Sequence, residues 1–250
     1  MVKMNRKRII CILFVLLISC LCSFYSALSL NIGLETSEMT EEDQKTFISS
    51  INLSVVNEEN SKKAFSCFDV NDSGMIALGQ ESKSRKYVSI YNSDGEFLYG
   101  YSFTAGQSFN ISWDGSNVLI CFDRSDVVIS VDPQGSIVEL RQIEDTYEND
   151  IYRLNVLKAT SKTANGKEYV SRKNIGPLGL VTSSRAVVSE ILPDGQEKIV
   201  YDATGQLLAD TLLGFIIFAA FFVFVIICVV RLCKRTMKNY RAAQNSSKAN

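Results

Sequence analysis

Apolar and polar positions divide the chain into three regions with different patterns. Residues 9–30 and 211–230 are two runs, of 22 and 20 residues, without a charged side chain. Between them, short apolar runs alternate with polar segments that contain glycine. An uncharged run of about 20 residues is long enough to cross the bilayer core as a helix. The pattern therefore predicts two transmembrane helices that flank one globular region.

The basic residues near the second run predict its orientation. Residues 231–250 contain six basic and no acidic residues, and they begin directly where the apolar run stops. Basic residues are retained on the cytoplasmic side of a membrane. We therefore expect a cytoplasmic C-terminus, a central domain outside the cytoplasm, and a location in the cell membrane.

The first apolar run is compatible with three fates. Residues 1–8 carry four basic residues ahead of the run, as in a secretory signal peptide. Small residues at 27–29 offer a cleavage site, and LISC at 17–20 resembles a bacterial lipobox that would be lipidated at Cys20. The run continues to Leu30, which favours an uncleaved signal anchor. The protein is then two-pass, or single-pass if the segment is cleaved, and all three fates export the centre.

In the centre, the apolar period is two, which is typical of strands. Short runs rich in valine, isoleucine and aromatic residues are separated by Asp-Gly, Ser-Gly and Asn-Gly turns. No helical pattern of 10–15 residues separates these runs, which argues against alternating strands and helices. The pattern predicts an all-β domain. Examples of the runs are YVSIY at 87–91, VVISV at 127–131 and IVEL at 137–140.

The predicted strands occur in repeated units. FDVNDSG at 68–74 aligns with FNISWDG at 109–115, and NSDG at 92–95 aligns with DPQG at 132–135. The offset is 41 residues at the phenylalanine and 40 at the second glycine. A looser third unit follows from residue 165, with LPDG at 192–195 and an insertion at 173–184.

A period of about 40 residues with four short strands per unit resembles the blade of a β-propeller. The resemblance covers residues 65–202 and is architectural, because no family-defining motif accompanies it. It implies about three four-stranded repeats, which is fewer than the four to eight blades of a usual ring. We expect an open or incomplete ring, with a β-sandwich or completion by a second copy through self-association as the alternatives.

A short helix is predicted ahead of the repeats. Thr40 is a suitable N-cap, and three acidic residues follow it in the first turn, with the helix running to about residue 49. The full division is a basic N-terminus (1–8), a signal anchor or signal peptide (9–30), a polar linker with a short helix and lead-in strand (31–64), the β-repeat domain (65–206), a transmembrane helix (207–230) and a basic tail (231–250).

Composition excludes several classes of function. Residues 31–210 hold 16 of the 26 basic residues and all 27 acidic ones, a net charge of −11. Such a domain repels phosphate backbones, so we expect no nucleic-acid partner. The chain has no histidine, which removes the commonest general base and most zinc sites. We predict no catalytic residues, no metal and no cofactor.

The exported region contains two cysteines, Cys67 and Cys121. In an oxidising compartment they are able to form one disulfide, but the pairing depends on geometry that sequence does not supply. The alternative is that both are small apolar core residues, and the pattern favours it.

Four residues are candidate ligand contacts. Trp113, the single tryptophan, precedes Asp114 at a turn, and Tyr147 and Tyr152 flank the acidic residues 148–150. The competing interpretation is packing for the aromatic residues and a solvated loop for the acidic cluster at 144–150. Residues 69–74 also resemble the start of a calcium loop, but position twelve is Gln80 rather than glutamate.

These features favour a non-enzymatic interaction module. We expect a β domain held at the membrane that binds a protein or cell-envelope partner, in one version as an accessory subunit of a membrane assembly. The alternative is an exported hydrolase that uses two facing carboxylates.

Overall fold

The structure is a computed structural model that describes residues 33–59, 61–82 and 85–248, with side chains described as far as residue 236. The first apolar run, with its three alternative fates, lies outside these residues. Within them the chain is mostly β, as the sequence predicts, and forms three antiparallel sheets. The strands are β1 (Thr36–Glu38), β2 (Ser54–Val56), β3 (Cys67–Val70), β4 (Ile76–Glu81), β5 (Lys86–Tyr91), β6 (Phe97–Phe103), β7 (Phe109–Asp114), β8 (Asn117–Phe122), β9 (Val127–Val131), β10 (Ile137–Ile143), β11 (Ser161–Ala164), β12 (Lys167–Arg172), β13 (Val187–Ile191) and β14 (Glu197–Asp202).

Each sheet is built from four consecutive strands. Sheet I has the order β2-β6-β5-β4-β3, sheet II the order β1-β10-β9-β8-β7, and sheet III the order β11-β12-β13-β14. The added strands β2 and β1 pair with the outer edges of β6 and β10. The predicted linker at 31–64 therefore contributes two strands to the sheets. Strand β1 was not predictable from the sequence, because its three residues, TSE, are all polar.

The aligned turns have a common geometry. The side-chain oxygen of Asn92 accepts hydrogen bonds from the backbone N–H groups of Asp94 and Glu96, and Asp132 repeats this arrangement two and four residues on. In the third turn Leu192 has no such acceptor, and Asp194 instead accepts from the Gln196 N–H. Glycine closes every turn with φ near +80°, a conformation that other residues adopt only with strain. The three glycines are Gly95 (φ 80°), Gly135 (φ 83°) and Gly195 (φ 82°).

Sheet I lies between the other two sheets and shares a core with each. Between sheets I and II, Phe103 packs edge-on against Phe109 and Phe122, with ring centroids 5.1 and 5.6 Å apart. Between sheets I and III, Tyr201 packs edge-on against Phe65 and Tyr91. These aromatic side chains are almost completely buried. Burial of apolar area on both faces makes sheet I the centre of the domain.

Three α-helices accompany the strands in the described residues: α1 (Glu41–Ile51), α2 (Tyr147–Tyr152) and α3 (Thr204–Lys248). The predicted cap of α1 is confirmed, because the Thr40 side chain accepts a hydrogen bond from the Asp43 N–H. Helix α1 packs on the core of sheets I and II through Phe47, whose ring contacts Phe122 edge-on at 5.1 Å. It thus covers part of the β domain.

Within the segment at 144–150, which the sequence suggests is a solvated loop, residues 147–150 lie in helix α2. Thr146 caps α2 by accepting from the Asn149 N–H at 3.3 Å, and acidic residues occupy the first turn. A π-helical turn, Arg153–Leu157, continues α2 directly. The predicted insertion at 173–184 contains a 3-10 helix, Gly176–Val181, with Pro177 in its first turn. Both helical segments are too short for the spacing of their apolar residues to be recognised as helical in the sequence.

The second apolar run lies in α3, which follows β14 after a single residue, Ala203. Its first turn is attached to the β domain: Leu207 packs against Ala186 and Val187, and the Gln206 side chain accepts from the Ala64 N–H at 2.9 Å. Residues Thr204–Thr236 are the one candidate membrane span in the described part of the chain, and the apolar 18-residue window within them has a mean hydropathy of 3.2 and no buried residue.

Candidate functional site

Strands β3, β7 and β11, each the first of the four consecutive strands of its sheet, lie around one carboxylate, that of Asp69 in β3. Its Oδ2 accepts hydrogen bonds from the Ser112 hydroxyl at 3.0 Å and from the Trp113 backbone N–H at 2.9 Å, both on β7. Its Oδ1 lies 3.1 Å from the Lys162 Nζ on β11. The lysine also donates to the Val156 carbonyl of the π-helical turn at 2.8 Å. We call this junction of Asp69, Ser112, Trp113 and Lys162 the hub.

The charged side chains of the hub are largely shielded from solvent, so the hub is not an open binding site. The side chains of Asp69 and Lys162 are 12% and 9% exposed. A buried ion pair of this kind fixes the relative placement of the elements that carry it, whatever its net effect on stability. Because Asp69 and Lys162 form an ion pair with each other, the hub is an internal connection between the sheets. The other buried carboxylate, Glu190, is also paired, with the Lys167 Nζ at 2.7 Å.

The four predicted ligand contacts occupy two different environments. Trp113 is partly buried at the hub and packs on the core of sheets I and II, and its indole N–H is enclosed without a hydrogen-bond partner among the described residues. Tyr152 lies close to the hub, where burial raises the pKa of its phenol and the Ser112 hydroxyl opposes that rise. Asp114 ends β7 at the turn that follows. Tyr147 is 75% exposed on α2 and lies apart from the core.

Helix α2 is held in place by its buried face. Asn149 is almost completely buried, and its side chain accepts from the Glu35 N–H at 2.9 Å and donates to the carbonyls of Glu35 and Glu144 at 2.9 and 2.7 Å. The Arg153 guanidinium pairs with Asp126, in the turn between β8 and β9 of sheet II, at 2.7 Å. The helix therefore has a fixed orientation on the outer face of sheet II.

The opposite face of the same helical segment is apolar and exposed. Tyr147, Ile151 and Leu154 follow each other at intervals of four and three residues, which places them on one side of a helix. They are 75%, 39% and 61% exposed. We call these three residues the apolar stripe. The acidic residues Glu144, Asp145, Glu148 and Asp150 are exposed around its N-terminal end.

The residues that resemble a calcium loop have internal partners. The Asp69 carboxylate is bound at the hub, and the Asn71 side chain accepts from the N–H groups of Ser73 and Met75 at 3.0 and 2.9 Å. This is the hydrogen bonding of a tight turn. In the part of the chain that the structure describes, no three His, Cys, Asp or Glu side chains are grouped as metal ligands.

Cys67 and Cys121 are buried free thiols in the described structure. Cys67 lies in the core between sheets I and II, whereas Cys121 lies in a separate cluster with Leu119 and Val128. Burial raises the pKa of each thiol to about 12. A thiol that keeps its proton is a poor nucleophile, so both cysteines act as apolar core residues.

Because several phenols and thiols are buried, we expect the protein to lose stability at alkaline pH. Burial raises the Tyr201 pKa to about 12, against about 10 in an unfolded chain. Between these two values the unfolded state releases a proton that the folded state retains, so the free energy of unfolding falls as the pH rises. Cys67 and Cys121 act in the same direction from about pH 9, the usual range for a thiol. Urea unfolding followed by Trp113 fluorescence should show the decline between about pH 9 and 12.

A matched variant tests the cause of this decline. Tyr201→Phe removes one of the buried titrating groups, together with the hydrogen bond that the phenol accepts from the Lys63 N–H at 2.7 Å. The variant should be less stable at neutral pH by about 1 kcal/mol and should show a shallower alkaline decline. An unchanged slope would contradict the assignment to Tyr201.

Sequence reasoning missed two residues of this region. Nothing in the sequence pairs Lys162 with Asp69, because the two are 93 positions apart and lie on strands from different units. Asn149 appears only as part of an acidic cluster, and its role follows from contact with residue 35. The amphipathic spacing of residues 147, 151 and 154 is a signal that was present, but in a segment too short to stand out.

Comparison with known proteins gives no further information: no protein-family model matches the chain, and no curated protein matches its sequence.

Proposed function

We propose that this protein is a membrane-anchored module whose β domain lies outside the cytoplasm and binds a protein partner without catalysing a reaction. The proposal includes propeller-like repeats in an open ring and a first membrane segment that is kept as a signal anchor. The apolar stripe is the observation that supports it best, since exposed aromatic and aliphatic side chains on a fixed helix are typical of interaction sites.

The surroundings of the stripe define the chemistry of the partner. Four exposed carboxylates lie beside the apolar centre, and apolar centres with charged rims are usual in protein interfaces. A partner with an apolar groove and basic residues at its rim would complement both features. The rigid attachment of α3 to sheet III would keep this surface at a set distance from the membrane, as an accessory subunit requires.

Site-specific photo-cross-linking in native membranes tests the proposal. A photoreactive residue at Leu154 should give a discrete protein adduct, whereas the same residue at Val138 should give none. The two positions are matched, because both are apolar, on the surface and 61% and 55% exposed.

Charge reversal decides whether an adduct reflects the proposed surface. Glu148→Lys combined with Asp150→Lys should abolish the Leu154 adduct, because both charges lie beside the stripe and repel a basic rim once reversed. Equal adducts at Leu154 and Val138, or a Leu154 adduct that is insensitive to the reversal, would count against a partner at this site.

A further inference from the structure

A cleft lies where α3 leaves the β domain, between the helix and the loop after the 3-10 helix. Its volume is about 870 Å³. The loop is fixed in place, because the Lys173 Nζ donates to the carbonyls of Gly179, at 2.7 Å, and Thr182. The residues that line the cleft include Lys63, Ser66, Thr182, Asp210, Gly214 and Phe218.

The walls of the cleft change from polar to apolar along α3. Asp210 and Thr211 line the end next to the β domain, and Phe215 and Phe218 line the other end. The two phenylalanines belong to the uncharged run that forms the candidate span. On the facing loop, Leu180 and Val181 are 90% and 62% exposed. With α3 in a bilayer, the apolar end of the cleft opens into the acyl-chain region, so a lipid is the molecule that covers it.

The polar end carries cations without carboxylate partners. Arg185 is half-buried next to the cleft, and its guanidinium donates to the carbonyl of the lining residue Ser66 at 3.4 Å. The Nζ of Lys63 lies over the ring of Tyr87, 5.1 Å from its centroid. Neither cation forms an ion pair with a carboxylate in the described residues.

The two carboxylates at the cleft, in contrast, have partners within the chain. Glu81 pairs with Lys86 at 2.9 Å, and Asp210 accepts a hydrogen bond from the Gln206 side chain at 2.7 Å. The Gln206 amide is neutral, so Asp210 keeps its negative charge, whereas Glu81 is neutralised by Lys86. Two unpaired cations against one unpaired carboxylate leave the polar end with a net positive charge, which complements a phosphate.

We propose that the cleft binds one phospholipid of the surrounding leaflet, with its phosphate at Lys63 and Arg185 and an acyl chain along Phe215 and Phe218. The inference depends on the part of the proposed function in which α3 crosses the membrane. It does not depend on the apolar stripe or on any protein partner.

Two glycines of α3 provide the variant and its control. A Cβ at Gly214, in the cleft wall, or at Gly205, outside the lining, meets no atom within 4 Å. Gly214→Leu therefore introduces a side chain whose Cβ lies in open space at the cleft wall, and Gly205→Leu makes the same change elsewhere on the helix. Both variants improve helix propensity, so neither should unfold the protein.

Native mass spectrometry of the full chain in detergent, titrated with dioleoylphosphatidylglycerol, measures the binding. The wild type and Gly205→Leu should retain one lipid with equal affinity, and Gly214→Leu should bind it at least about tenfold more weakly. Dioleoylglycerol, which has the same chains without the phosphate, should bind the wild type about tenfold more weakly than the phospholipid.

Several results would overturn the proposal. Equal lipid binding by Gly214→Leu and the wild type would show that the lipid lies elsewhere, and equal loss in both leucine variants would show non-specific lipid around the helix. Equal affinity of the wild type for dioleoylglycerol and for the phospholipid would show that the cleft does not bind the phosphate. A cross-link from position 214 to residues 9–30 would show that the first apolar run fills the cleft. Extraction of the chain from membranes by alkaline carbonate would instead contradict the proposed anchoring.

Discussion

Asp69→Ala is expected to lower the free energy of unfolding by about 3–5 kcal/mol, because it leaves a buried lysine without its counter-charge. Lys162 is 9% exposed and retains only the Val156 carbonyl as a partner once the carboxylate is removed. The Ser112 hydroxyl and the Trp113 N–H lose their acceptor at the same time. Since these groups belong to three different sheets, the loss affects the whole β domain.

The matched control is an ion pair of equal length at the surface. Asp94 lies 3.1 Å from the Lys198 Nζ, with side chains 72% and 46% exposed. Asp94→Ala should cost about 1 kcal/mol or less, because solvent screens an exposed pair. Urea unfolding of the full chain in detergent, followed by Trp113 fluorescence, measures both variants. Similar losses in the two would show that the hub is not a buried ionic connection.

A double variant separates the unpaired charge from the loss of hydrogen bonds. Asp69→Asn with Lys162→Met removes both charges, keeps one acceptor for β7, and retains most of the lysine side-chain volume. It should recover a substantial part of the stability lost in Asp69→Ala, because replacement of both charges avoids an uncompensated one. A double variant that is no more stable than Asp69→Ala would show that the loss in the free energy of unfolding comes from the hydrogen bonds rather than from the unpaired charge.

Gly95→Ala has the second largest expected effect, because this turn touches another sheet. A Cβ at Gly95 would lie 2.0 Å from the carbonyl oxygen of Val200 in β14. The residue also has φ of +80°, a conformation that costs an L-residue about 1–2 kcal/mol. The collision adds about 1–3 kcal/mol for the shift of packed backbone. The expected loss in the free energy of unfolding is the sum of the two effects.

Gly195→Ala isolates the conformational part of this loss. Gly195 has φ of +82° in the equivalent turn of sheet III, and a Cβ there meets no atom within 4 Å. This variant should therefore cost only about 1–2 kcal/mol, and the difference between the two variants measures the contact between sheets I and III. Equal urea midpoints would show that the turn at 92–95 does not press against β14.

Much of the fold was predictable because it depends on local pattern. Period-two runs identify β5, β9 and most of β10, and the turn sequences at 92–95 and 132–135 have the repeated geometry that their alignment implies. The N-cap at Thr40 follows from a side chain that bonds to the backbone three residues away. The second apolar run is a continuous helix because it is rich in apolar residues and contains no proline.

The candidate site was predictable only in part. Tyr147 was singled out as an aromatic residue beside acidic ones, but its exposure on a short helix depends on Asn149 binding residue 35 from the other side. Trp113 and Tyr152 were grouped with it, and the structure instead places them at and near the hub. The sequence does not show whether an aromatic side chain will be buried or exposed, because that depends on which strands become neighbours in the fold.

The sequence by itself determined most of the strands, the turns, the charge distribution and the long apolar helix, because each arises from residues close together along the chain. The tertiary structure decided the order of the sheets, the pairing of β1 with β10, the Asp69–Lys162 ion pair and the cleft beside α3. Each of these joins residues far apart in sequence, and such contacts form only when buried apolar area compensates the entropy of closing long loops.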